Sequence, residues 1–112
     1  MTPHQLTTKE IFEAIKEDLI NLANAELKGY VSDLFNDTKN FIEDILADVK
    51  TWSKQLEEQQ LTREEFDFLI GGTKDRLAMA ALTQSGLLII KIQSLRDSIF
   101  QLVVSSILKL VL

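Results

Sequence analysis

The chain has 112 residues, 46% hydrophobic and 26% charged, with one Pro, four Gly and no Cys. This composition excludes a disordered chain, a turn-rich β-sandwich or barrel, and any disulfide or thiolate chemistry, and sets the expected fold class as all-α in a single domain. The net charge of −5 is uneven, with 7 Lys/Arg against 15 Asp/Glu in residues 1–72 and 5 against 2 in residues 73–112. The two parts can therefore attract each other, and the overall acidity argues against nucleic acid as a partner.

Met1 to Gln5 reads as a tail without the basic start and apolar run of a secretory signal. The expected location is therefore the cytoplasm or an assembled particle. Leu6-Thr7-Thr8-Lys9-Glu10-Ile11 follows as a helix-start signature, in which Thr7 caps, Glu10 reaches back and Leu6 staples onto Ile11. The helix it opens carries Ile11, Phe12, Ile15, Leu19, Leu22 and Ala23 on one side. Gly29 either ends that helix or sits within a longer one, so residues 7–58 form one or two acidic amphipathic helices.

From Val31 the seam residues Phe35, Thr38, Ile42, Ile45, Val49, Trp52 and Leu56 alternate in steps of four and three. That is a coiled-coil-like heptad spacing, which Leu34, Phe41 and Leu46 broaden towards the stripe of a bundle helix. The opposite face, with Asp33, Asp37, Asn40, Glu43, Asp44 and Lys50, is expected to face solvent. Trp52 reads as a core or interface anchor. Although Trp-Ser-Lys lies near a helical turn, Lys54 stands where a WXG-type motif has Gly, which excludes that class.

A second capping box, Leu61-Thr62-Arg63-Glu64-Glu65-Phe66, opens a short connector helix over 62–70 that the tandem Gly71-Gly72 is expected to stop. The same stretch is similar to the end of a double-glycine leader, with Leu61, Glu65, Phe66, Leu69 and the Gly pair at matching positions. That resemblance covers twelve residues. It implies cleavage after Gly72 and release of a cationic apolar segment suited to a membrane surface.

Thr73 is then expected to cap one long apolar helix over 73–112, with Lys91, Ser94, Ser98, Gln101 and Ser105 as its narrow polar stripe. Gly86, among Ala78, Ala80, Ala81 and Ser85, marks a place for close backbone approach or a kink. Its uncharged runs, 77–90 and 98–108, fall short of the ~18–20 residues that cross a bilayer.

Chemistry-bearing constellations are sparse. His4 is the one His and has no second His or Cys to share a metal with. Glu13/Glu17 and Asp44/Asp48 are i,i+4 carboxylate pairs without the Glu-x-x-His of a di-metal bundle, and Ser105-Ser106 has no base nearby. No enzyme, cofactor, metal or small-molecule substrate is expected.

The architecture expected is an antiparallel helical hairpin or small bundle, completed by oligomerisation because the upstream helices cannot cover the whole apolar helix. Its core or interface would be Leu88, Ile89, Ile92, Leu95, Ile99, Leu102, Val103 and Ile107, faced by Phe35, Ile42, Ile45, Val49 and Trp52. The expected function is that of a non-enzymatic helical assembly protein. It would self-associate through its C-terminal helix, as a homo-oligomer or a part of a larger particle such as a phage or secretion assembly. The alternatives are a membrane-active peptide precursor cleaved after Gly72, and a partner-binding adaptor or inhibitor.

Overall fold

A computed structural model describes residues 7–26 and 29–111, with backbone alone at 25 and 26. The described residues are helical and contain no strand. Five helices follow in order: α1 (Thr8–Glu26), α2 (Val31–Glu57), α3 (Arg63–Gly72), α4 (Ala80–Gln84) and α5 (Ile89–Val111), with a 3-10 turn, Thr73–Arg76, between α3 and α4. His4 and Leu6, and with Leu6 the first staple, lie outside the described residues.

Both capping boxes form. Glu10 N donates to Thr7 Oγ1 at 3.3 Å and Thr7 N donates back to Glu10 Oε1 at 3.3 Å. At α3, Glu65 N donates to Thr62 Oγ1 at 3.1 Å and Thr62 N donates to Glu65 Oε1 at 2.9 Å. Accepting from the Thr62 N–H, and secondarily from its hydroxyl, holds the Glu65 carboxyl below its ordinary value of 4.5. A depressed folded-state pKa gives stability that is present above 4.5 and lost as pH falls through the folded value. Acidification below pH 4.5 is therefore expected to loosen the start of α3. In Glu65→Gln, the protection of the Thr62 amide against exchange should no longer depend on that carboxylate's protonation.

Gly29 adopts φ +95°, a left-handed conformation open to glycine, and separates α1 from α2. α1 runs back along α2: the Phe12 ring meets Phe35 edge-on at 5.1 Å, and Lys39 sits 4.5 Å over Phe12. α2 packs against every other helix and is the centre of the molecule. Its stripe Leu34, Thr38, Phe41, Ile42, Ile45, Leu46 and Val49 is buried, and Ile11, Ile15, Leu19, Phe66, Leu77, Met79, Leu82, Leu95, Ile99, Val103 and Ile107 join the same cluster. None of the helices among the described residues is long and apolar enough to cross a membrane.

The C-terminal third departs from the expected single helix. It is split into the 3-10 turn, an irregular stretch at 77–79, α4, a turn at Ser85-Gly86 and α5, the last 23 residues long. A continuous helix over 74–110 would be roughly 55 Å long, against a longest molecular dimension of 44 Å, and could offer α2 only one stripe. Breaking it sends Leu77, Met79 and Leu82 into the core from one segment and the α5 stripe from another. Met79, at φ 52°, and Gly86, at φ +89°, make the two reversals.

Two neighbouring expectations change with it. The helix does not stop at Gly71-Gly72: it passes through both and tightens into the 3-10 turn. Thr73 does not cap a following helix; it is buried and its hydroxyl donates back to the Ile70 carbonyl at 2.7 Å. Neither Gly71 nor Gly72 has a positive φ, and a Cβ at either would meet nothing within 4 Å. Gly71→Ala is thus expected to raise the stability by about 0.5–1 kcal/mol through helix propensity alone, read as a shift in the urea midpoint.

The acidic face of α2 is also not simply solvated. Asp37 is 4% exposed, and its carboxylate accepts from Ala81 N at 2.8 Å and Leu82 N at 2.9 Å. Those are two of the free N–H groups that open α4, whose own preceding residue, Met79, makes no side-chain cap. Asp37 caps α4 across the fold. Nearby, Ser85 Oγ donates to Asp33 Oδ2 at 2.7 Å.

Candidate interaction surface

Asp44 and Asp48 do not form a bare carboxylate pair; they clamp Arg76. Its Nε donates to Asp44 Oδ2 and its Nη1 to Asp48 Oδ2, each at 2.8 Å, while Nη2 reaches the Asp44 carbonyl. Hydrogen bonding to Asp44, then to Asp48, holds the guanidinium further above its ordinary pKa. The group is partly exposed, so it sets the register of the 3-10 turn on α2 more than it adds stability. Lys74 similarly pairs with Asp97 of α5.

No group of three or more metal-binding side chains occurs among the described residues. Ser105 and Ser106 line an open groove between α1 and α5 with Asp18, Gln101 and Lys109.

Of the residues assigned from sequence to core or interface, Ile42, Ile45, Val49, Ile92, Leu95, Ile99, Val103 and Ile107 are buried. Phe35, Trp52 and Leu102 are partly buried against the same core, and Phe35 meets Phe12 of α1. Leu88 and Ile89 are not core: they are 65% and 70% exposed. With Ile90, 74% exposed, they form a ridge of three consecutive large aliphatic side chains at the start of α5. They follow directly on Ser85, which is bonded to Asp33 in the first turn of α2, and on the reversal at Gly86.

The polar stripe of α5 falls on the opposite side of the helix from its buried stripe. Lys91, Ser94, Gln101 and Ser105 are exposed and Ser98 is half-buried. The apolar surplus inferred for the whole segment therefore shrinks to the ridge, with Leu110 at the other end, 52% exposed.

A second apolar feature was not singled out by the sequence reading. Phe68 of α3 is 82% exposed and lines an open groove with Leu61, Leu69, Glu64 and Glu65. Its exposure follows from spacing: Phe66 and Ile70 are four apart and both buried, so a side chain midway between them points away from the core. Isolated exposed apolar residues are ordinary, but clustered ones of this size mark interaction surfaces.

No protein-family model, curated protein or solved structure matches this chain.

Proposed function

We propose that this chain is a helical assembly module that self-associates through the exposed start of α5, without enzymatic activity of its own. The observation that carries this reading is the ridge Leu88-Ile89-Ile90, three consecutive large aliphatic residues, each 65–74% exposed. Burying such surface yields about 25 cal/mol per Å², which favours any arrangement that covers it. The test is Ile90→Asp. Because Ile90 is 74% exposed, the substitution is expected to leave thermal unfolding unchanged while weakening self-association at least tenfold in sedimentation velocity. Equal sedimentation of the variant and the parent as oligomers would refute the assignment of this surface.

One observation favours a second reading, the leader cleaved after Gly72. The fold does not require glycine at 71 or 72, so the pair has no conformational explanation. Against it, Phe66 and Ile70 share one core with Leu77, Met79 and Leu82, so cleavage would divide a packed cluster. Self-association is the reading the packing supports better.

A further inference from the structure

The ridge and the Phe68 groove differ in charge and follow segments tied to opposite ends of α2. Ser85, three residues ahead of the ridge, donates to Asp33 in the first turn of α2. The groove follows the last turn, where Leu61 N donates to the Gln55 carbonyl at 3.2 Å. Asp33 and Gln55 are separated by roughly 30 Å along the helix, so a chain cannot seat its own ridge in its own groove. The ridge is followed directly by Lys91, and the groove is edged by Glu64 and Glu65. Among the described residues neither Lys91 nor Glu64 is in an ion pair.

We infer that the occupant of the Phe68 groove is a second copy of this chain, which inserts Leu88-Ile89-Ile90 against Leu61, Phe68 and Leu69 and brings Lys91 to Glu64. The inference rests on the self-association proposed above and specifies its geometry. Apolar residues supply the contact, and the charges select its orientation, since ridge against ridge would bring two Lys91 ammonium groups together. The contact joins unlike surfaces. Two copies lying antiparallel close it by exchanging both ends, and any other arrangement extends it into a ring or a chain.

Mixing two variants tests it. Ile89→Asp removes the ridge and keeps the groove; Phe68→Ser removes the groove and keeps the ridge. Both sites are exposed, and matching melting curves verify that the folds are intact. Each variant alone is expected to be monomeric by light scattering, and an equimolar mixture is expected to give a 1:1 heterodimer that grows no further. Lys91→Glu is expected to weaken parental association about tenfold, and adding Glu64→Lys to restore it.

If Phe68→Ser self-associates like the parent while Ile89→Asp does not, ridge meets ridge; the groove assignment then fails and self-association stands. If the parent is monomeric at every concentration, both fail together. A monomeric parent that co-floats with anionic phospholipid vesicles, and loses this in Ile89→Asp, would give the ridge to a membrane surface instead.

Discussion

Ile99→Asp is expected to abolish cooperative unfolding. Ile99 is fully buried in the stripe of α5 that faces the core, among Leu95, Val103 and Ile107. A carboxylate there would lose its hydration inside the apolar cluster, and changes of this kind exceed about 4–5 kcal/mol. A domain of this size is typically stable by about 5–15 kcal/mol, so the variant should show no sharp transition in urea and weakened helical circular dichroism. Ile99→Ala, which removes volume without adding charge, should retain a transition and cost about 2–5 kcal/mol. Glu43→Ala, on an exposed position of α2, should match the parent. A normal melting curve for Ile99→Asp would show that α5 is not packed as described.

Asp37→Ala is expected to cost about 2–3 kcal/mol and to release α4. The side chain accepts from two backbone N–H groups at once, and its removal leaves both without an acceptor in a site that water reaches poorly. The consequence should be local before it is global. Amide exchange at Ala81 and Leu82 should accelerate, and Leu82, fully buried, should become accessible with them. Asp37→Asn keeps one carbonyl oxygen and should fall between the two. Unchanged exchange at Ala81 and Leu82 in Asp37→Ala would mean that the carboxylate does not hold α4.

These two sites divide what is legible in the sequence from what is not. Ile99 belongs to a buried stripe with helical spacing, and α5 could be read from that spacing together with its polar stripe at Lys91, Ser94, Gln101 and Ser105. The capping boxes at Thr7/Glu10 and Thr62/Glu65 are equally local, each closing over three residues. Asp37 is the opposite case. Its donors lie 44 and 45 residues away, and in the α2 pattern it looks like one more solvated acid.

The break at Leu77 to Met79 is hidden for the same reason. It contains neither Gly nor Pro, and Met79 takes a left-handed conformation because tertiary packing there, with Leu77 and Met79 both buried, outweighs local preference. Once that break and Gly86 are in place, most of the supposed apolar surplus is covered within the chain. The candidate surface is correspondingly smaller than the C-terminal segment as a whole. Leu88 and Ile89 stood out by hydrophobicity, but their exposure could not be read from composition. Phe68 could have been found from its spacing between Phe66 and Ile70.

The most direct test of self-association is the mass of the full-length protein by light scattering after size exclusion, measured as concentration is raised. The structure and its exposed ridge lead us to expect a mass above the 12.7 kDa of one chain that increases with concentration until a closed form or a growing series is reached. A mass that stays at that of one chain across the range would contradict the account.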